Sequence, residues 1–271
     1  MIKKDRIIIT GTKGFIGSNL KKELSDKYEI LEINEDVFNT VNWREEVSKY
    51  FWLDIKAVFH VGACSNTLES DVNYIMLVNY EFTKHLMSLC SNGNKKIPMI
   101  YSSSAANYGT DNYNPSNLYG WSKYTAEDYV ISNGGIALRY FNVYGPGEEN
   151  KGNMASVAFQ MKTAQEKGED IKLFPKNPKR DFVYVKDIIS ANIHAFENFD
   201  SLEGKYYEVG SGEPRTFESV LNIMGISFGY HDSDSIPKGY QFYTCSNKKK
   251  WMPGWESMWN LEKGLKDYFN L

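Results

Sequence analysis

A tyrosine and a lysine stand four residues apart in the segment Tyr119-Gly-Trp-Ser-Lys123. On a helix, side chains at this spacing are neighbours on one face. The pKa of a free tyrosine is about 10, and a nearby lysine cation lowers it by favouring the phenolate. The pair can therefore act as an acid/base that moves a proton to or from a substrate hydroxyl. Because ordinary helix-surface pairs share this spacing, the interpretation depends on the motifs around it.

A glycine-rich turn near the start of the chain is the first such motif. The β-branched run Arg6–Thr10 predicts a buried strand, and an amphipathic helix through about Lys27 follows the segment Gly11-Thr-Lys-Gly14-Phe-Ile-Gly17. Glycines allow a tight turn and a close approach to a pyrophosphate, which the helix N-terminus then binds through free N–H groups. The alternative is an ordinary strand-to-helix turn, and the position favours dinucleotide binding.

The second predicted strand, Glu29–Asn34, bears on the choice of cofactor. NAD-binding folds usually carry an acidic residue at the end of this strand, where it binds the adenosine ribose hydroxyls. Asn34 occupies that place, and Glu35 and Asp36 follow it. No lysine or arginine appears until Arg44, so a clamp for a 2′-phosphate is not evident either. These residues alone leave NAD and NADP both open.

Small residues follow the third predicted strand, Lys56–Val61. Gly62, Ala63 and Cys64 would let a cofactor lie against the backbone at the carboxyl end of the sheet. Cys64 is interpreted as a small packed residue rather than a nucleophile, because no activating basic residue lies near it in sequence.

The fourth predicted strand, Lys96–Tyr101, ends in serines just before the tyrosine and lysine. Ser104 is the candidate to bind the same substrate oxygen as Tyr119, the alternative being a turn-forming serine. Asn79, in the predicted helix Asp71–Leu89, could hold the cofactor loop or could be an ordinary polar helix residue.

The alternation of strands and helices predicts the fold. A fifth strand, Gly134–Tyr140, leads into a rigid loop ending at Pro146. We predict an α/β fold with a Rossmann-like, doubly wound parallel sheet and a smaller, mainly C-terminal substrate lobe. Residues 1–144 and 181–211 are assigned to the dinucleotide-binding lobe, and residues 145–180 and 212–271 to the second lobe. A strand at Tyr240–Cys245 and a helix at Ser257–Phe269 are expected in that lobe.

Composition excludes several classes of partner. The chain has 271 residues, with 42% hydrophobic and 24% charged residues, which is ordinary for a globular protein. Its net charge of −3 argues against a nucleic-acid or anionic-membrane partner. Three widely spaced cysteines suit the cytoplasm and form no metal-binding motif. No stretch is long enough to span a bilayer.

Five motifs in the same order together resemble the extended short-chain dehydrogenase/reductases, the NAD-dependent epimerase/dehydratase family, which act on nucleotide sugars. They are the glycine turn, Ser104, Tyr119-x-x-x-Lys123, Arg139-Tyr-Phe-Asn-Val-Tyr-Gly-Pro146 and Arg180-Asp-Phe-Val-Tyr-Val. Each motif is weak alone, but their order is specific and covers most of the chain. The resemblance implies a dinucleotide-dependent enzyme and a homo-oligomer.

A narrower resemblance points to one reaction. Lys151-Gly-Asn-Met-Ala-Ser-Val-Ala-Phe159 is similar to a run in the ADP-L-glycero-D-manno-heptose 6-epimerase family, whose second acid/base is the lysine of this run. This resemblance implies an isomerase that inverts C6 of an ADP-heptose for lipopolysaccharide synthesis, with tightly held NADP. Tyr119, aided by Lys123 and Ser104, would deprotonate the C6 hydroxyl, and Lys151 would serve the opposite face.

The resemblance also assigns contacts residue by residue. The cofactor-binding residues would be Gly11, Gly14, Phe15, Ile16, Gly17, Asn34, Gly62, Ala63, Cys64, Asn79, Lys123 and Val143. The substrate-binding residues would be Ser104, Asn142, Asn153, Gln160, Phe174, Pro175, Lys176, Asn177, Arg180 and Tyr240. Asn153 and Gln160 stand where that family usually has serine and histidine.

Three other functions compete with this one. The first is a nucleotide-sugar 4-epimerase or reductase on the same scaffold. A 4,6-dehydratase needs carboxylates beside the active hydroxyl, and here Ser104 is followed by two alanines. A non-catalytic nucleotide-binding relative would typically have lost Tyr119 or Lys123, and this chain keeps both.

Overall fold

The computed structural model describes residues 4–91, 96–110, 114–232 and 241–271. Eleven strands lie in these ranges: β1 Arg6–Thr10, β2 Glu29–Ile33, β3 Ile55–His60, β4 Met99–Ser104, β5 Ile136–Tyr140, β6 Asn142–Tyr144, β7 Lys172–Leu173, β8 Lys179–Tyr184, β9 Lys205–Val209, β10 Pro214–Thr216 and β11 Gly229–Tyr230.

Ten helices accompany these strands within the same ranges. They are α1 Phe15–Leu24, α2 Trp43–Tyr50, α3 Val72–Met76, α4 Phe82–Ser91, α5 Leu118–Ser132, α6 Val157–Glu166, α7 Val185–Glu197, α8 Phe199–Leu202, α9 Phe217–Ile223 and α10 Leu261–Phe269. None of them, in the described ranges, combines the length and apolar character that a bilayer crossing requires.

Six strands form a fully parallel sheet in the order β2-β1-β3-β4-β5-β9. Ile7, Ile8 and Ile9 of β1 are each 0% exposed, because helices cover both faces of the sheet. Successive strand side chains point to opposite faces. Ile7 and Ile9 accordingly pack with Leu20 of α1 and other residues of α1 and α7. Ile8 packs with residues of α2, α4 and α5 on the other face. The predicted doubly wound fold is confirmed.

A second group of elements packs beside the carboxyl ends of this sheet. Strands β10, β8 and β6 form a three-stranded sheet, and β11 pairs with β7. A separate apolar cluster, which includes Phe182, Val220 and Leu265, packs these strands against α6, α9 and α10. Asp181 of β8 is 0% exposed and accepts hydrogen bonds from the backbone N–H groups of Ser211 (2.6 Å) and Ser246 (2.7 Å). This carboxylate therefore ties three chain segments together.

The C-terminal helix is shorter than the predicted Ser257–Phe269. Asp187, 1% exposed, accepts hydrogen bonds from the Ser257 hydroxyl (2.6 Å) and from the N–H groups of Met258 (3.0 Å) and Trp259 (3.1 Å). These bonds hold the segment in a loop, so the helix starts only after Asn260, whose side chain caps it. The predicted strand Tyr240–Cys245 is wrong for the residues of it that the structure describes, 241–245. Tyr243 forms an isolated β-bridge with Lys179 there instead of a continuous strand.

Candidate active site

The glycine turn between β1 and α1 has no room for side chains. A Cβ on Gly17 would lie 2.1 Å from the carbonyl oxygen of Gly11. Gly11 has φ +70°, and a Cβ there would lie 2.5 Å from the Cα of Gly62. Such contacts bring the N-terminus of α1 close to the ends of β1 and β3. The turn thus has the backbone cradle that a pyrophosphate needs, and the residues fit a dinucleotide.

A lysine from this turn lies at the end of β2, where the sequence showed no basic group. The backbone N–H of Lys13 donates to Oδ1 of Asn34 (3.1 Å), and its Nζ lies 3.3 Å from Asp36. Sequence reasoning looked for a cation only after β2 and so missed Lys13. The Asn34 amide thus stands where a carboxylate usually binds a ribose, and the exposed side chains of Lys13 and Asp36 lie beside it at this end of the cleft.

One cleft of about 1570 Å³ runs along the carboxyl ends of the parallel strands. Single-ligand pockets in proteins are roughly 300–1,000 Å³, so this volume suits two ligands side by side. Its walls include most of the predicted cofactor and catalytic residues and the predicted substrate residue Asn142. The cofactor and catalytic residues are Gly11, Gly14, Phe15, Ile16, Gly17, Asn34, Gly62, Ala63, Cys64, Ser104, Tyr119, Lys123, Val143 and Lys151.

Asn79 lies behind the cleft wall and holds the loop after β3. It is 1% exposed, and its amide accepts from the N–H of Cys64 (2.8 Å) and donates to the Cys64 carbonyl (3.0 Å) and to Ser122 Oγ (2.9 Å). A π-helical turn, Leu77–Glu81, directs this side chain inward, and such turns are frequent at functional sites. Burial raises the pKa of the Cys64 thiol, which supports its interpretation as a packed residue rather than a nucleophile.

A buried chain of hydrogen bonds links the carboxyl ends of β1 and β3 to this π-helical turn through His60. The Gly62 N–H donates to the Thr10 hydroxyl (2.9 Å), and the Thr83 hydroxyl donates to the Asn79 carbonyl (2.7 Å). His60 lies between them, with Nδ1 2.8 Å from Thr10 Oγ1 and Nε2 2.7 Å from Thr83 Oγ1. Since each hydroxyl has one proton, Nε2 must donate to Thr83 and Nδ1 must accept from Thr10. Burial and the nearby Lys123 lower the pKa of His60 well below its usual value, consistent with this neutral ring.

The proposed acid/base Tyr119 lies in the first turn of α5, beside Ser104. Asn117 begins this helix, and its side chain accepts from the Gly120 N–H (2.8 Å). Burial raises the pKa of Tyr119, whereas its contact with the Ser104 hydroxyl lowers it. The net direction is upward, opposite to the lowering that the Tyr119–Lys123 spacing predicted. Desolvation of the phenolate therefore outweighs the favourable contact with Ser104.

Lys123 lies one turn further along α5 and is 2% exposed. Its Nζ lies 4.3 Å from the centre of the Tyr101 ring. Burial lowers the pKa of Lys123 to about 7, and the Glu127 carboxylate opposes this shift. The lysine is thus half protonated near neutral pH and can exchange protons there.

Glu127 belongs to a buried polar cluster that sequence reasoning missed. Its carboxylate accepts from Nε (2.8 Å) and Nη2 (2.5 Å) of Arg139, from Ser103 Oγ (2.6 Å) and from Asn107 Nδ2 (3.1 Å). The Arg139 guanidinium also lies 3.7 Å from the centre of the Tyr206 ring. The carboxylate is therefore held in place one helical turn from Lys123. The only signal for it was the i+4 spacing on α5.

Lys151 enters the cleft from the loop that precedes α6. Its Nζ lies 5.2 Å from the centre of the Phe15 ring, at the start of α1. Burial lowers the pKa of Lys151, and the Glu148 carboxylate opposes that shift. A second amine with a lowered pKa therefore lines the cleft that contains Tyr119.

The remaining predicted substrate residues that the structure describes are not among the residues of the cleft wall. Gln160 donates to the carbonyls of Asn153 (3.2 Å) and Ala155 (2.7 Å), so it supports the Lys151 loop. Arg180 is 8% exposed, and its guanidinium lies 5.7 Å from the centre of the ring of Phe217, a wall residue.

The turn after β7 carries four more of the predicted substrate residues, Phe174, Pro175, Lys176 and Asn177. Phe174 packs on the ring of His231, and Pro175 is half-buried. Lys176 (φ 72°) and Asn177 (φ 48°) are exposed in left-handed conformations. Tyr240 lies outside the described residues.

Residues 7–210 match the model of the NAD dependent epimerase/dehydratase family, and the chain belongs to that family. The prediction that it is an enzyme of the isomerase class is thereby confirmed. Among solved structures, the ADP-L-glycero-D-manno-heptose-6-epimerase of Helicobacter pylori is 26% identical, with a TM-score of 0.86 over 99% of this chain and 96% of that one.

Two 4-epimerases share the fold almost as closely. The UDP-glucose 4-epimerase of Thermotoga maritima is 24% identical, with a TM-score of 0.83 over 98% of both chains. The UDP-glucuronic acid 4-epimerase of Bacillus cereus, in complex with UDP-glucuronic acid and NAD, is 22% identical, with a TM-score of 0.82 over 98% of both chains. The family and fold are thus shown, and the sugar is not determined by them.

Proposed function

We propose that the protein inverts C6 of an ADP-heptose by transient oxidation to a ketone and re-reduction. The observation that carries this proposal is the pairing of two proton-transfer groups in one cleft. Tyr119 with Ser104 and Lys123 lies on α5 and the end of β4, and Lys151 approaches from the loop before α6. An epimerase must handle a proton on two faces of one carbon, and two separated groups meet that need.

Each residue has a defined part in this reaction. A nicotinamide cofactor held in the cleft would supply reversible hydride transfer at the substrate carbon. Tyr119 takes the proton of the C6 hydroxyl, Ser104 binds the same oxygen, and Lys123 stabilises the phenolate as a cation. After the ketone turns its other face and is reduced there, Lys151 gives the oxygen its proton. Solvent then takes the proton from Tyr119 and returns one to Lys151, which restores both groups for the next cycle. Burial lowers the pKa of Lys151, which makes this amine a better proton donor at neutral pH.

A deuterium-labelled substrate tests whether the reaction proceeds by transient oxidation. Substrate labelled with deuterium at the inverted carbon should retain the label in the product, because the hydride returns from the cofactor. Loss of the label to solvent would contradict transient oxidation and would indicate direct deprotonation at carbon. Tyr119→Phe is the inactive control.

The heptose is favoured over other sugars by the Lys151 loop and by the similarity to the Helicobacter pylori enzyme. A UDP-sugar 4-epimerase is the second candidate, because two such enzymes share the fold at TM-scores of 0.82 or above. Conversion of UDP-glucose, but not of an ADP-heptose, would establish the second candidate.

We further propose NADP as the cofactor, with Lys13 as the group that binds the 2′-phosphate. Asn34 is neutral, Glu35 and Asp36 line the same end of the cleft, and the exposed Nζ of Lys13 could exchange its contact with Asp36 for a phosphate. Lys13→Ala should weaken NADP binding about tenfold and leave NAD binding unchanged. Equal losses for both cofactors would contradict this assignment, as would a wild type that binds NAD more tightly.

The division into two lobes, residues 1–144 and 181–211 against 145–180 and 212–271, remains a proposal. The pairing of β9 with β5 in the large sheet supports the assignment of residues 205–209 to the first lobe. In contrast, β6 and most of β8, which this division also assigns to the first lobe, form a sheet with β10 of the second lobe. We also propose a homo-oligomer that forms through the outer face of α5, where Trp121 is 44% and Tyr124 is 40% exposed. Light scattering should give a dimeric or larger mass that Trp121→Glu reduces to a monomer, and a monomeric wild type would contradict this proposal.

A further inference from the structure

The loop that carries Lys151 is closed by one buried carboxylate. Glu148 is 0% exposed. Its Oε1 accepts from the N–H of Gly145 (3.2 Å) and from the hydroxyl of Ser156 (2.8 Å), and its Oε2 accepts from the N–H of Ser156 (2.6 Å). Gly145 and Ser156 lie at the two ends of the loop 145–156. The side chain therefore acts as a clasp between the exit of β6 and the start of α6.

The same carboxylate lies close to Lys151 along the chain. The Lys151 N–H donates to the Glu148 carbonyl (3.0 Å) in a turn of 3₁₀ helix, Glu149–Met154. In the part of the chain that the structure describes, no lysine or arginine nitrogen lies within 4.0 Å of the Glu148 carboxylate. Its charge is thus balanced by hydrogen-bond donors and is left to act on Lys151, whose pKa it raises against the effect of burial.

Two other titratable groups surround this carboxylate. Glu149 follows it on the exposed side of the loop, and its Oε1 accepts from the N–H of Gly147 (3.3 Å). Tyr268 faces it from α10, where burial and the Glu148 carboxylate raise the pKa of the phenol. The Tyr268 phenol is uncharged near neutral pH, and the Glu149 side chain is exposed. Glu148 is therefore the buried charge that acts on Lys151.

We propose that Glu148 is a positioning residue for Lys151: its buried carboxylate closes the loop 145–156 and so holds the lysine at the cleft. This inference rests on the proposed role of Lys151 as the second acid/base. All three groups that bind the carboxylate are donors. A glutamine would present its NH₂ group to one of them, so a neutral side chain of the same shape cannot close the loop equally well.

The test compares Glu148→Gln with Glu149→Gln, the same substitution one residue along at an exposed position. Trace acetylation of Lys151 as a function of pH, read by mass spectrometry of its peptide, gives the pKa of this amine without any substrate. In Glu148→Gln the midpoint should fall by roughly one pH unit. In Glu149→Gln it should match the wild type. Hydrogen exchange in residues 149–155 should rise on the order of tenfold in Glu148→Gln only.

A third variant separates charge from closure. Ser156→Ala removes one hydroxyl donor to the carboxylate, which it keeps, and also removes the cap that Ser156 Oγ provides to the Phe159 N–H of α6. Hydrogen exchange in residues 149–155 should rise while the Lys151 midpoint stays unchanged. The proposal would be overturned if Glu148→Gln showed both the wild-type midpoint for Lys151 acetylation and the wild-type hydrogen exchange in residues 149–155. Should Glu148→Gln not fold, unchanged exchange in Ser156→Ala would overturn it instead.

Lys151→Ala distinguishes this inference from the proposed function. If Lys151→Ala epimerises the substrate at the wild-type rate, Lys151 is not the second acid/base. The effect of Glu148→Gln on the Lys151 acetylation midpoint would still hold. Impaired epimerisation by Lys151→Ala, with a wild-type midpoint in Glu148→Gln, would reject the positioning role alone.

Discussion

Removal of the charge on Glu127 should move the pH dependence of turnover through Lys123. Side chains at i and i+4 on a helix lie about 6 Å apart at Cβ. At an effective dielectric constant of about 20, two unit charges at that distance interact by about 2.8 kcal/mol, or about 2 pKa units. The pKa of Lys123 is about 7 in the structure, and the Glu127 carboxylate raises it. In Glu127→Gln it should therefore fall to about 5.

The consequence for activity follows from the protonated fraction. At pH 7 the cationic share of Lys123 would fall from about half to about 1%, so turnover that needs the cation should drop roughly 50-fold. The deficit should shrink as the pH is lowered toward about 5, because the lysine regains its proton. A stopped assay of epimer formation across this range measures the effect directly.

The control is Asp128→Asn, which removes an exposed charge one position along α5. Circular dichroism checks that Glu127→Gln is folded, since it leaves Arg139 buried without its counter-ion, a change that can cost about 3 kcal/mol. A Glu127→Gln enzyme with a wild-type pH profile would refute the reasoning. A uniform loss at every pH would indicate a structural role only.

Three further variants test other parts of the site. Tyr119→Phe should lower turnover by at least roughly 100-fold with cofactor affinity within about twofold, and residual turnover near wild type would exclude Tyr119 as the acid/base. Gly17→Ala should abolish cofactor binding in calorimetry, because its Cβ would lie 2.1 Å from the Gly11 carbonyl oxygen; retained binding would contradict the cradle. The folded pKa of Lys123, about 7, lies below the unfolded value of 10.5, so the unfolded state binds more protons between these values. The unfolding free energy should accordingly rise by about 2 kcal/mol between pH 7 and 9, and Lys123→Met should lose this rise in urea titrations; the same rise in both proteins would contradict a buried lysine.

The sequence was most informative where local patterns and parallel topology act together. The run Arg6–Thr10 is β1 with the predicted bounds, and the other large-sheet strands lie within a few residues of theirs. Because the carboxyl ends of parallel strands meet at one edge of a sheet, residues at or just after the ends of β1, β3 and β4 had to come together. This is why Gly11, Gly62 and Ser104 line one cleft.

Features that depend on burial and long-range packing could not be read in the same way. The spacing of Tyr119 and Lys123 predicted a lowered tyrosine pKa, but the depth at which α5 packs determines desolvation and reverses the direction. His60 and Glu148 sit in ordinary strand and loop patterns, and only their partners from distant segments show their roles. Lys13 precedes β2 in sequence yet lies at its end in space.

The most direct test of the central claim is one incubation. Purified protein is mixed with ADP-D-glycero-D-manno-heptose and with NADP or NAD in separate reactions, and chromatography resolves the two C6 epimers. The account predicts that the L-glycero epimer appears with NADP, and that Tyr119→Phe yields none. Absence of interconversion, with cofactor bound and the protein folded, would contradict the heptose assignment.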